Sequence, residues 1–225
     1  MASDVAGDRV EREASLLDEN RDRARQRIVR AAQKALATRG LATTVDEVAA
    51  VAGVSRRTVF RHFATRERLV AAAIRAGLRS YAEHVPPFPG GDIDADSGAT
   101  AASPAEVGDW LLDVLLAAHR LNARNGRVYW DLSALDADLP GELAAAGAER
   151  REARRRFAVR VTRTLWRARG GAGEPPEWLT DAVAVHLSGF TLQSLAGDFG
   201  RSPEDVARVS ARVIEAALAA ALAGR

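Results

Sequence analysis

The segment Thr44–Arg66, TVDEVAAVAGVSRRTVFRHFATR, places helix start and stop signals so close together that few folds accommodate it. Thr44 and Glu47 stand in S/T-x-x-E order, so the hydroxyl caps the third amide of a helix while the carboxylate reaches back to the amide of the capping residue itself. Gly53 falls at the left-handed residue after that helix. Ser55 and Thr65 then offer N-caps for two further helices. A helix, a glycine turn and a second helix at this spacing read as a helix-turn-helix, whose second helix enters a major groove while the first crosses the backbone. At about 100° per residue, Val59 and Phe63 share one side of the second helix. Arg57, Thr58 and Arg61 share the other, with Arg56, Phe60 and His62 at the margins. The competing reading is an ordinary helical hairpin whose arginines are a solvated face.

Charge distribution favours the first reading. Residues 1–20 carry a net −4, residues 21–85 a net +9 and residues 86–225 a net −3. A basic block beside a neutral-to-acidic body suggests one module that meets a polyanion and one that does not. Arginine supplies all but one of the 32 cations, Lys34 being the exception, a bias that a GC-rich genome also produces. Ahead of the motif, Ala24, Ile28, Ala32 and Leu36 or Ala35 recur at helical spacing up to Gly40, giving a first helix over about 22–39. Thr65 opens a fourth, complete by Pro86. The predicted organisation is a flexible arm or frayed helical extension over 1–20, a DNA-binding head with its connecting helix over 21–85, a Pro/Gly/Ser-rich linker over 86–103, and a second domain over 104–225.

These residues resemble the tetracycline-repressor-like (TetR) family of transcriptional regulators. The resemblance lies in residues 27–70: R-I-V-x-A-A, Gly40, T-T-V-D-E-V-A-x-x-A-G-V-S, T-V-F-x-H-F and T-R-E-x-L. The chain departs from the family pattern in Arg57, where glycine is common, in Phe60 for the usual tyrosine, and in Arg66 for the usual lysine. The resemblance implies that Thr44, His62 and Arg66 position the DNA backbone, assisted by free amides beside Thr65. Phe60 would keep the packing of the tyrosine and lose a hydroxyl able to reach phosphate. Arg56, Arg57, Thr58 and Arg61 would face base edges, where an arginine fork suits guanine O6 and N7. Each arginine could instead contact a phosphate, and His62 reads as a backbone contact or helix packer rather than a pH sensor.

Beyond the linker the pattern is wholly helical, with segments near 104–123, 126–136, 140–169, 176–198 and 203–223. The fold class is therefore all-α. The first segment and the last two carry apolar residues on two sides, among them Val209 and Val213 beside Ile214 and Leu218, so a second subunit could cover the extra face. Trp110, Tyr129, Trp130, Phe157, Trp166 and Phe190 are bulky side chains that either fill the core or wall a ligand cavity. Trp110 and Trp130 are placed on neighbouring helices at its edge. His119 and His186 lie on apolar faces as satisfied core histidines or as polar contacts to a ligand.

Several chemistries lack their residues. The chain has no cysteine, no GxSxG, P-loop or HExxH motif, and no run of about 18 uncharged apolar residues. No secretory signal opens it, so a cytoplasmic location is expected without membrane contact, metal, cofactor or catalysis. Asp92, Asp94 and Asp96 imitate the start of a calcium loop, but Ser97 and Ser103 stand where glycine and glutamate belong. ERREARRRF, 149–157, reads as a solvated helical face rather than a second nucleic-acid patch. The expectation is a homodimer, joined through its last two helices, that represses transcription from a pseudo-palindromic double-stranded DNA operator and is released by a small apolar or aromatic effector. The repressor sign rests on the resemblance alone. The alternative is an architectural DNA-binding protein with a solid second domain and no ligand.

Overall fold

The computed structural model describes residues 2–88, 102–134 and 139–224, and among these it contains nine helices and no strand. Helix α1 runs Ala2–Arg39, and a 3₁₀ turn, Gly40–Ala42, leads into α2 (Val45–Ala52), α3 (Arg56–His62) and α4 (Arg66–His84). The body follows with α5 (Pro104–Ala134), α6 (Gly141–Ala168), α7 (Glu177–His186), α8 (Gly189–Phe199) and α9 (Pro203–Ala223). None of the described helices is long and apolar enough to cross a membrane.

The punctuation of the head acts as its chemistry requires. Thr44 Oγ1 accepts the Glu47 amide at 3.3 Å while Glu47 Oε2 accepts the Thr44 amide at 2.8 Å, closing the capping box. Gly53 sits at φ +64 with open space around it, so backbone conformation alone selects glycine there. Ser55 and Thr65 accept the amides of Thr58 and Arg68 at 3.1 and 3.2 Å. Helix α1 continues back through residues 2–20, the segment whose composition left an arm or a helical extension open.

Two apolar cores result. The head core gathers Ile28 and Leu36 of α1, Val48 of α2, Val59 of α3 and Leu69 and Ile74 of α4. It continues into Val128 and Leu132 of α5 and Leu143 and Ala146 of α6, so the head rests on the body without a solvent gap. The body core stacks Leu111, Val114 and Leu115 of α5 on Val161, Leu165 and Trp166 of α6, Val183 of α7 and Ile214 and Leu218 of α9.

Helix boundaries in the body depart from the periodicity reading in two places. The helices expected at 104–123 and 126–136 are one element, α5, through position 134. A single glycine, Gly126, costs about 1 kcal/mol within a helix, less than is gained by keeping Leu121, Val128 and Leu132 buried on one continuous stripe. The helix expected over 176–198 is broken between α7 and α8. Ser188 leaves helical geometry to cap Thr191 at 3.3 Å, Thr191 Oγ1 donates to the Val185 carbonyl at 2.6 Å, and Asn122 Nδ2 donates to the Leu187 carbonyl at 3.3 Å. The break is held by side chains serving the backbone groups it frees. The calcium-like segment 92–98, most of the linker and positions 135–138 lie outside the described residues.

Candidate nucleic-acid interface

Helix α3 is fixed from behind. Val59 and Phe63 are buried, and the Arg25 guanidinium of α1 lies 4.4 Å from the Phe63 ring centroid while donating to the His62 carbonyl at 3.0 Å. This leaves the opposite side of α3 free to meet another molecule. Arg57 and Arg61 are exposed there and make no hydrogen bond or ion pair with a described residue. Arg56 pairs with Asp46 at 2.7 Å and lies over the exposed Phe60 ring at 5.4 Å. Such an exposed pair contributes under about 1 kcal/mol, so a phosphate or guanine can displace the carboxylate. Thr58 shares a 2.9 Å hydroxyl contact with Ser55, and Thr44 stays exposed although its hydroxyl also donates to Glu47 at 3.1 Å. Beside Thr65 the first amides of α4 add anion-binding capacity.

Two sequence-predicted phosphate contacts are placed otherwise. Arg66 turns inward. Its Nε donates to the Thr43 carbonyl at 2.8 Å, its Nη2 donates to the Leu41 carbonyl, and its Nη1 lies 3.7 Å from Glu67. The 3₁₀ turn and the extended residues after it leave those carbonyls without helical partners, and a planar fork satisfies both. His62 has its Nε2 buried without a partner. Burial lowers its pKa below the usual histidine value, and Arg61, Arg21 and Arg25 lower it further, so a neutral ring packs the end of α3.

The same turn ties head to body. The Leu41 amide donates to Asp131 Oδ2 of α5 at 2.7 Å, and Arg127 holds that carboxylate at 3.4 Å. Gly40, at φ +58, is required twice over, because a Cβ there would also overlap the Asp131 carboxylate. Further along, Arg75 of α4 grips Glu149 of α6 through two contacts at 2.7 and 2.8 Å, and Arg68 approaches Glu142 at 3.4 Å. None of these partners is adjacent in sequence, and only the glycine left a trace there.

The aromatic and histidine candidates for ligand contact separate into three places. Trp130 and Phe190 form an exposed pair with ring centroids 4.9 Å apart, 46% and 42% accessible, rather than a cavity wall. Trp110 shares α5 with Trp130 instead of facing it from another helix, and it seals the chain beyond α4 by packing edge-on to Phe88 at 5.2 Å and donating to the Pro86 carbonyl at 3.1 Å. Trp166 is fully buried core. Tyr129 and Phe157 are half-buried near Tyr81 of α4, with Tyr81 and Phe157 edge-to-face at 5.5 Å and Arg150 over the Tyr129 ring. His119 and His186 lie together elsewhere in the body. His119 is wholly buried with both ring nitrogens unpartnered, and His186 Nδ1 meets Ser210 Oγ at 3.2 Å. Burial above all, then the charge His186 would carry, lowers His119 to a pKa of about 4, against a weak opposing pull from the His186 backbone.

Residues 28–73 match the family described as bacterial regulatory proteins, tetR family. That match spans the whole helix-turn-helix and the start of α4, so the head is similar to the DNA-binding region of that family. No curated protein matches the chain. Among solved structures, a TetR-family transcriptional regulator from Streptomyces coelicolor is similar at a TM-score of 0.63 and 22% identity, over 91% of this chain and 84% of its own. One from Rhodococcus sp. gives 0.63 at 18% identity, over 87% and 99%. The transcriptional regulator FadR from Bacillus subtilis, solved with stearoyl-CoA, gives 0.56 at 14% identity, over 84% and 95%. The likeness covers head and body alike, so the chain shares the fold of these TetR-family regulators, with a helix-turn-helix in its head.

Proposed function

We propose that the chain is a homodimeric, ligand-responsive transcriptional repressor, acting in the cytoplasm on a pseudo-palindromic operator and lacking catalytic activity. The observation that carries the DNA reading is the outer side of α3. There Arg57 and Arg61 are exposed and uncommitted, on a helix anchored by Val59, Phe63 and the Arg25 contact. Arg56 exchanges Asp46 for DNA, while Thr44 and the α4 amides beside Thr65 meet phosphates. Arg66 serves indirectly, by holding α4 against the turn before α2.

Exposed Val209 and Val213 on α9, with Val185 at the end of α7 and Phe190 on α8, support the dimer, since a second copy would cover them. A role for a small effector draws support from the relative solved with stearoyl-CoA, a chain of the same fold. The effector would release DNA by favouring one spacing of the two heads over another, with α4 as the lever.

Selection of binding sites from a random duplex library tests this reading. Wild-type protein should enrich a two-fold-symmetric site. Arg57→Ala and Arg61→Ala should each lower affinity by about 1–3 kcal/mol and relax one base position per half-site. Enrichment of no sequence, or unchanged preference in both variants, would overturn base reading by α3.

A further inference from the structure

Helix α6 buries the stripe Leu143, Gly147, Val161 and Leu165, and midway along it two positions of that stripe are arginines, Arg150 and Arg154. Arg154 is the unusual one. Its Nη2 donates to the Ala184 carbonyl of α7 at 2.9 Å, while its Nε is buried with no hydrogen-bond partner. Among the described residues the ionisable neighbour that acts on its charge is Tyr81 of α4, and no carboxylate does. Burial pushes the Tyr81 phenol well above its ordinary range, so Tyr81 offers a neutral hydroxyl and no counter-charge. Arg154 is partly buried, and a cation drawn part-way out of water loses hydration that an anion replaces best.

We infer that this junction of α4, α6 and α7 is an anion site, taking an organic acid whose carboxylate meets Arg154 and whose apolar body lies against Tyr81, Phe157 and Tyr129. The rings set the ligand's class. Tyr81 and Phe157 meet edge-to-face at 5.5 Å, and Tyr129 lies close enough to act on the Tyr81 phenol, so the surroundings of the guanidinium suit hydrocarbon better than a hydrated inorganic ion. Arg154 still has its Nε–H to give, and a charge-assisted bond to carboxylate is about twice as strong as a neutral one. Tyr81 lies within the last turn of α4, the helix whose first residue, Arg66, holds the turn before α2. An acid seated on Arg154 therefore presses on the lever of the proposed regulator, and its action on DNA rests on that reading.

Calorimetric titration of the full chain with 2-naphthoate and with its neutral counterpart 2-naphthamide tests the site without DNA. Wild-type protein should bind the acid about tenfold to a hundredfold more tightly than the amide, the value of one charged hydrogen bond. Arg154→Gln should erase that preference, Arg154→Lys should retain part of it, and Arg156→Gln, two residues on and exposed on the opposite side of α6 beside Glu152, should leave it intact. Equal affinity for acid and amide in wild-type protein overturns the site whether or not any variant folds. So does the absence of acid binding, or a preference that survives Arg154→Gln. A final arm adds a selected operator duplex: Arg154-dependent binding of 2-naphthoate with operator affinity unchanged upholds the anion site and overturns its part in release.

Discussion

Mild acid should destabilise this protein through His119. The ring is wholly buried and unpartnered, with a folded-state pKa of about 4 against 6.5 for the free side chain. The unfolded chain therefore takes up a proton near pH 6.5 that the folded chain refuses until about pH 4. Stability from this depressed group is full above pH 6.5 and is lost as pH falls toward 4, at up to about 1.4 kcal/mol per pH unit. Between pH 7.5 and 5 the integrated loss is about 2 kcal/mol. His186 and His62 are shifted in the same direction by burial and add to the slope. The lowered carboxylates, such as Glu149 beside Arg75, act at lower pH and leave this window to the histidines. Urea unfolding at fixed protein concentration, at pH 7.5, 6.5, 5.5 and 5, should follow this curve. His119→Leu, which fills similar space with no titrating group, should flatten most of it and cost little at pH 7.5. A wild-type free energy that is level from pH 7.5 to 5, or a slope unchanged in His119→Leu, would refute the reasoning.

Arg66→Ala should lower stability by about 1–3 kcal/mol, because two carbonyls lose their donor, and should weaken all DNA equally without altering base preference. Arg66→Lys should recover little of either, since one ammonium cannot reproduce the planar fork; full recovery in unfolding and DNA-binding titrations would contradict the placement. Val209→Asp combined with Val213→Asp should sediment as a monomer at micromolar concentration and lose operator binding. An unchanged sedimentation coefficient would move the dimer face away from α9.

The head was legible because its signals are local. Thr44 with Glu47, Gly53, Ser55 and Thr65 each act within four residues of chain, and the structure realises every one. Contacts across long separations were not legible. Arg66 reads as a surface cation until the carbonyls of Leu41 and Thr43 are placed before it. The α7–α8 break depends on Asn122, sixty-five residues earlier, meeting Leu187. Trp130 and Phe190 read as cavity walls because residue type carries no information about which side of a helix faces a neighbour. In ERREARRRF the exposed pairing of Glu152 with Arg155 and Arg156 fits a solvated face, while Arg154 on the same helix points inward.

Hydroxyl-radical footprinting on a selected operator duplex, repeated across a salt series, tests the central claim most directly. A two-fold dimer reading DNA through α3 should protect two symmetry-related patches whose centres lie about one helical turn, or a near multiple, apart. Log affinity should fall steeply as log salt rises, because the arginines of the head release counterions from phosphates. A single unrepeated patch, or an affinity indifferent to salt, would contradict the account.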